Sequence, residues 1–539
     1  MSEEAFDYVV VGSGAAGSAV AGRLAAAGKG SVVLLEAGGD DRHLSLHIPG
    51  LGFHAVSKRH WNWDFQTEPE PGLNGRRQVF LAGKLLGGSS AINGMIYSRG
   101  HSQEYDEWAR LGCTGWSAQD VLPFFRRSED NARGSDHWHG SGGPMGVRQS
   151  RPVVPLYERF LEAAAASGID RVDDPCADVV EGFGYYDVNV KNGRRISAAT
   201  AFAKPAARSG RLTLITGAFV QRVLFDGRRA IGVEARIGDA IRAIHARREV
   251  IVCAGGIKSP HLLMLSGIGP AGHLADNGID LLVDSPKVGT NLQNHPSLMM
   301  SYAVSQPVTS FSYLSPLGAL VAGAQYLFGR RGVLAESGFG VGGFFRSDPS
   351  LNLSDVQVII SHGLMVRSMK PKPGIRDLLP KRHGFTVVVY QGTPYSRGSV
   401  RLRSGNPGDA PRVQSGYFSD PRDMPILVRG VRRMRELCAR PEIAPYIESE
   451  MTPGPNIRTD AELEAFIRDN IGTSHHQCGT CAMGGDEDSV LDPRLRVRGV
   501  TGLRVADASA MPIMPNASLH APTIMIGERA AEFVLADAA

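Results

Sequence analysis

The residue spacing with the clearest chemical content lies near the start of the chain, at Gly12-Ser13-Gly14-Ala15-Ala16-Gly17, with Glu36 following. Three glycines in this pattern suit a phosphate cradle. Gly12 permits a tight turn, Gly14 lets backbone approach a pyrophosphate, and Gly17 lets a helix lie close to a strand. A carboxylate at Glu36, about 20 residues on, accepts hydrogen bonds from ribose hydroxyls and repels a 2′-phosphate. NADP is therefore disfavoured, while NAD and FAD both stay open. Other candidates are weaker. Cys478 and Cys481 form a CxxC, but there is no second pair to complete a zinc site. His137 and His139 flank Trp138 without a carboxylate or cysteine to complete a ligand set, so no metal is expected. With 16 histidines in the chain, one taken alone is more often structural than catalytic.

The glycine turn needs elements to hold it. Residues 6–11 are a β-branched apolar run suited to a parallel strand covered on both faces. Residues 18–27 are small and apolar, as expected for a tightly packed helix whose N-terminal N–H groups and dipole meet the phosphates. A second strand, 31–35, leads into Glu36 and Ala37. At 539 residues the chain exceeds one hydrophobic core, and two or more domains are expected. The net charge of +4 is scattered, and no basic run with interleaved aromatics points to nucleic acid. The six cysteines are irregularly spaced, unlike a secreted disulfide framework. Glu3 and Glu4 stand where a signal peptide would carry bases, so no leader and a cytoplasmic location are expected. The most apolar stretch, 317–328, is too short to span a bilayer and reads as a buried helix.

Further motifs decide the dinucleotide. Gly87-Gly88-Ser89-Ser90 and Asn93-Gly94-Met95 within 83–95, the stretch 255–269 and the stretch 502–509 make the chain similar to the glucose-methanol-choline (GMC) family of flavin oxidoreductases. The resemblance covers about residues 6–533. It implies an α/β fold: a Rossmann-type FAD-binding domain (1–150, 206–300 and 485–539) with an interleaved α+β substrate domain (151–205 and 301–484) built on an antiparallel sheet. It implies FAD held by the 12–17 turn, Glu36 and Ala37. Gly87, Gly88, Ser89, Ser90, Asn93, Gly94, Met95 and Ile96 would meet it along the glycine-serine loop. Val220 would lie on its adenine side, with Ala254, Gly255, His475, Asp507, Ala508, Pro522 and Thr523 completing the site. Family members with covalent flavin carry a histidine in the glycine-serine region. Ser89, Ser90 and Ala91 offer none, so noncovalent FAD is expected. Two departures stand out: Gly256 replaces a usual alanine, a mild change, and Asn294 replaces a usual aspartate in a segment read as structural.

The same resemblance places His476 on the family's catalytic histidine and His520 where the family has histidine or asparagine. Both are expected beside the flavin's N5, in contact with each other, with His476 as base and His520 orienting the hydroxyl. A hydride leaves a carbinol carbon readily only as the hydroxyl proton leaves, and a neutral imidazole is a suitable acceptor. The implied reaction is oxidation of a primary alcohol, aromatic or heteroaromatic, to the aldehyde. The implied partners are a small-molecule alcohol and oxygen or another electron acceptor. A hydroxynitrile lyase with non-redox FAD is the alternative. The motifs do not separate oxidase from dehydrogenase, and they leave the oligomeric state open. For the pocket wall, residues 385–390 and 398–402 are expected as strands of one antiparallel sheet joined by a turn at Pro394. Residues 365–381 and 316–331 are candidates to border the entrance.

Overall fold

The computed structural model describes residues 4–56, 58–365 and 381–538. Two seven-stranded sheets organise it. The first has the order Thr213–Thr216, Val32–Glu36, Glu4–Val11, Ala240–Val252, Arg229–Ile237, Ala218–Asp226, with Leu503–Val505 pairing alongside Ala240–Val252. Its nucleotide half is parallel, as its buried Val/Leu-rich strands predict, and its far half turns antiparallel. The helix Ala15–Ala27 follows the first strand directly and is buried over nearly its whole length. It packs against the C-terminal helix His520–Asp537, so both ends of the chain meet at this sheet.

The second sheet is antiparallel, with the order Ile447–Thr452, Pro296–Val304, Gly384–Gln391, Val356–Ser361, Val341–Phe345, Gly182–Tyr185, and Gly472–Thr473 pairing alongside Pro296–Val304. Side-chain alternation gives it two apolar faces. Leu298, Met300, Val358, Ile360, Val387 and Val389 bury against the helices Leu156–Ala166, Asp423–Cys438 and Asp460–Asn470. The alternate set, Met299, Ile359, Val388 and Tyr390, forms a separate cluster facing the other way. The strand Pro296–Val304 lies wholly in this sheet and runs across the boundary drawn at residue 300.

Two expectations need correction. Ser399–Arg401 does form a strand, but it pairs with Arg412–Gln414 in a separate two-stranded sheet. The cause is Asp423, whose carboxylate accepts from Gln391 Nε2, Tyr395 N and Ser396 N and so turns the chain away after the pocket-wall strand. The apolar stretch is a helix, Pro316–Gly329, but it is not buried. Only Ala322 and Tyr326 face the core, while Leu317, Leu320, Leu327 and Phe328 are between 69 and 91% exposed. Among the described residues no helix is long and apolar enough to cross a membrane. The Lys/Pro-rich stretch 365–381 lies, apart from its two ends, outside the described residues.

Candidate active site

One long cavity runs from the glycine turn of the first sheet to the outward face of the second. At the nucleotide end Gly12, Gly14, Ala15, Ala16, Glu36, Ala37 and Val220 line it. Gly12 has φ +98°, and a Cβ there would meet the Cys253 carbonyl oxygen at 2.5 Å. Gly17 does not line the cavity; a Cβ on it would strike the Gly12 oxygen at 1.9 Å, so its role is the close helix–strand contact. Ser13 is also off the wall. Its N–H and hydroxyl donate to one Glu36 oxygen at 3.1 and 2.6 Å, while Gly38 N–H donates to the other at 2.8 Å. Burial raises the Glu36 pKa against these donors. The remaining lone pairs of the carboxylate are what a ribose would use.

The loop that forms the middle wall presents Gly88, Ser89, Ser90, Asn93, Gly94, Met95 and Ile96. Gly87 sits behind, at φ +94°, donating its N–H to Ser13 Oγ at 3.0 Å. Asn93 Oδ1 is engaged by Arg195 Nη1 at 2.6 Å and by Met95 N at 3.2 Å, so the side chain braces the loop from within. On the facing wall lie Ala254, Gly255, Asp507, Ala508 and Thr523. Asp507 is fixed through both oxygens: one accepts from Gly255 N (2.8 Å) and Ser259 Oγ (2.6 Å), the other from Ser509. Pro522 is buried in the C-terminal helix and does not line the cavity. A glycine-walled trough with backbone at its surface and two fixed carboxylates, Glu36 and Asp507, fits a dinucleotide.

At the far end His475, His476 and His520 all line the cavity. The segment carrying the first two is anchored to the second sheet, where Thr473 pairs with Pro296. His475 takes φ +62°, unusual for a side-chain-bearing residue, and its Nδ1 accepts from Leu81 N at 3.2 Å. Asn294, expected to be merely structural, holds the next residue: its Oδ1 accepts from His476 N at 2.8 Å and its Nδ2 donates to Thr473 Oγ1 at 2.5 Å. The ring that touches His476 is not His520 but His295, with the two Nδ1 atoms 2.9 Å apart and the rings nearly perpendicular. His520 opens the C-terminal helix, and its ring packs edge-on against Tyr97 at 5.9 Å. Among the described residues no hydrogen bond or ring contact joins His476 to His520, so the expected contact between them does not form. Burial, with His295 and His475 adding to it, pushes His476 well below the usual histidine range. Burial with Arg195 nearby takes His520 down to about 3. Both rings are neutral at physiological pH.

Sequence reasoning did not single out His295, Ser297, Met299, Phe339, Ile359 or His362, of which all but His295 line the cavity, whereas Val388 and Tyr390 belong to the 385–390 stretch expected to wall the pocket and do line it. The available signal was strand alternation, since Ser297, Met299, Val388 and Tyr390 are the odd or even sets of their strands. The departure at Gly256 is also more than mild. A Cβ there would meet the Gln477 carbonyl oxygen at 2.3 Å, and Thr480 Oγ1 donates to the Gly256 oxygen at 2.6 Å.

The His139 region differs from expectation too. Glu129 and Asp187 gather around His139 with ligand atoms within 4.8 Å of one another, and Asp174 Oδ2 lies 2.6 Å from its Nε2. The acids are already matched by Arg99 on Glu129, Arg133 on Asp187 and Asn131 Nδ2 between them. A cation there would compete with two arginines, and the cluster is a charge-balanced brace. Cys478 and Cys481 are buried free thiols whose pKa burial raises, so they are unreactive.

A dinucleotide trough ending in buried, neutral imidazoles defines a cofactor-dependent oxidoreductase. The GMC oxidoreductase family models match residues 6–297 and 394–527, and the chain belongs to that family. It is 41% identical over 531 residues to the oxygen-dependent choline dehydrogenase of Sinorhizobium fredii, covering 98% of this chain and 95% of that one. Among solved structures it is similar to pyridoxine 4-oxidase from Mesorbium loti (30% identity, 98% of each chain, TM-score 0.87). At the level of fold alone it is similar to a fungal aryl-alcohol oxidase (24% identity, all of each chain, TM-score 0.82). The protein is an FAD-dependent oxidoreductase of the alcohol-oxidising type.

Proposed function

We propose that the enzyme oxidises an uncharged primary alcohol, aromatic or heteroaromatic, to its aldehyde. The observation carrying this reading is the chemistry of the cavity wall. Its only carboxylates among the described residues are Glu36 and Asp507, both tied down by backbone and hydroxyl donors in the dinucleotide trough. Around His476 the wall is Met299, Phe339, Ile359, Val388 and Tyr390. A quaternary ammonium alcohol of the kind named for the choline dehydrogenases would find no carboxylate there and would have to rely on the faces of Phe339 and Tyr390. A ring such as that of pyridoxine would find apolar and aromatic surface.

Bound FAD, noncovalently held, supplies the acceptor for the hydride at N5. The residues of the chain handle the proton. In this reading the His295 proton sits on Nε2, which has no hydrogen-bond partner among the described residues. His295 Nδ1 then accepts from His476 Nδ1–H, which leaves His476 Nε2 with a lone pair. In this arrangement His476 takes the hydroxyl proton and His520 orients the hydroxyl by hydrogen bonding. Oxygen or another acceptor restores the oxidised enzyme.

The test is anaerobic mixing of holoenzyme with a panel of alcohols, followed by air. Bleaching by benzylic or pyridyl methanols, but not by choline, is expected; bleaching by choline alone overturns the substrate reading. A lyase would cleave a cyanohydrin without any loss of flavin colour. His476→Ala should keep bound FAD and lose most turnover.

A further inference from the structure

The helix Pro316–Gly329 carries its amphipathic pattern the wrong way round for a helix that faces water. Leu317, Leu320, Val321, Ala324, Leu327 and Phe328 recur at the three- and four-residue spacings that place side chains on one helix face. All six are exposed. Ala322 and Tyr326, on the opposite face, are the ones buried. The outward stripe is apolar from end to end. Scattered exposed apolar residues are ordinary, but a contiguous patch of them marks an interaction site.

The charges around the strip decide what it meets. Residues 305–335 contain no Asp or Glu, and their two arginines, Arg330 and Arg331, stand exposed just past the helix. The Arg330 guanidinium lies over the core-facing Tyr326 ring at 4.7 Å, so it rims the strip without interrupting it. Arg194 adds a third exposed base from the neighbouring hairpin, where a Cβ on Gly193 would meet Arg330 at 2.9 Å. Among the described residues no carboxylate pairs with any of the three. A second copy docking the same strip against itself brings these bases no acid. In a parallel pair the arginines meet each other, and in an antiparallel pair they meet the positive dipole end of the partner helix. An anionic lipid surface answers both features, taking the apolar side chains below its headgroups and pairing the arginines with its phosphates. With 14 residues the helix is about 21 Å long, short of the ~30 Å of a bilayer core, and so lies in the plane of the interface.

We propose that the strip on Pro316–Gly329, rimmed by Arg194, Arg330 and Arg331, docks the enzyme onto the surface of an anionic lipid membrane. Its place in the fold gives the docking a use. The chain runs from this helix straight into Val333, which lines the cavity together with Pro49 and Gly50. The two segments are in close contact, since a Cβ on Gly50 would meet the Val333 oxygen at 2.7 Å, and Gly50 is itself exposed. Docking therefore sets one edge of the cavity beside the lipid headgroups. The inference stands apart from the aromatic-alcohol reading and does not need it.

The experiment is co-sedimentation of the full-chain holoenzyme with large vesicles at physiological ionic strength. One set is phosphatidylcholine alone, and the other is phosphatidylcholine with about one-third phosphatidylglycerol. The wild type should bind the anionic vesicles and bind the neutral ones far less. Arg330→Gln/Arg331→Gln should weaken the anionic partition by roughly 25-fold, about fivefold for each base near the surface. Leu320→Ser/Phe328→Ser should release the protein from both sets while its flavin spectrum stays that of the wild type. No binding by the wild type overturns the proposal. So does binding that survives Leu320→Ser/Phe328→Ser, which assigns the attraction to the net charge of +4 rather than to the strip. A wild-type dimer in gel filtration that turns monomeric in the serine variant, without vesicle binding, assigns the face to a second copy and also overturns it.

Discussion

Replacing His295 by leucine tests how the base is held. The residue is fully buried, and its Nδ1 lies 2.9 Å from His476 Nδ1. Leucine removes the partner while filling the space, so His476 Nδ1 is left buried without a hydrogen bond. Such an orphaned group costs about 1–3 kcal/mol. If that cost falls on the orientation needed for proton removal, the limiting rate of flavin reduction drops by about 5- to 150-fold. The assay is anaerobic stopped-flow bleaching at saturating alcohol, with the flavin spectrum confirming full cofactor content. His295→Gln, which keeps a donor and an acceptor, should recover part of the rate. A limiting rate within about twofold of wild type in the leucine variant, with FAD fully bound, would refute the idea that this pair sets the base.

Other outcomes follow from the same geometry. Gly12→Ala should abolish FAD binding, read as loss of the visible flavin spectrum, because its Cβ meets the Cys253 oxygen at 2.5 Å and the residue needs φ +98°. Burial lowers His295, His362 and His475 to about 4 and His261 and His520 to about 3. An unfolded histidine takes its proton near pH 6.5, whereas these folded sites refuse one until pH 3 to 4. Stability should therefore fall as pH drops below about 6.5, by up to about 1.4 kcal/mol per pH unit for each group, and urea midpoints at pH 7.5 and 5 measure it. His139 has the opposite sign. Burial opposes its charge, but Asp174 and Glu129 raise it to about 9. Its contribution is complete below pH 6.5 and is lost as pH rises through 9. His139→Ala should cost about 3–5 kcal/mol in urea unfolding of the holoenzyme, since it strips an acid cluster of one cation.

The nucleotide half of the fold was legible because local chemistry dictates it. The Gly12–Gly17 spacing and the apolar runs on either side encode the turn, the helix and the parallel strands without reference to anything distant. The substrate half was harder. The strand over 384–391 announces itself by its run of valines, yet which strands join it depends on contacts such as that of Asp423 with Tyr395 and Ser396, 27 or 28 residues away. The same holds at the site. His476 and His520 stood out through their motifs, but His295 lies 181 residues from His476, and nothing in either local pattern links them. Exposure of the helix Pro316–Gly329 was misread for a related reason. An apolar stretch states its preference for burial but not whether the rest of the chain supplies a partner.

The missing methyl group at residue 256 has a practical consequence for anyone recombining this enzyme with its cousins. The opening of the helix Gly255–Leu265 and the stretch carrying His476 approach so closely that the Gln477 oxygen occupies the space an alanine methyl would fill. A chimera that imports the first piece with alanine while keeping the second would wedge the two apart at the point where proton handling is decided. The helix opening and the histidine stretch should therefore be exchanged as one cassette.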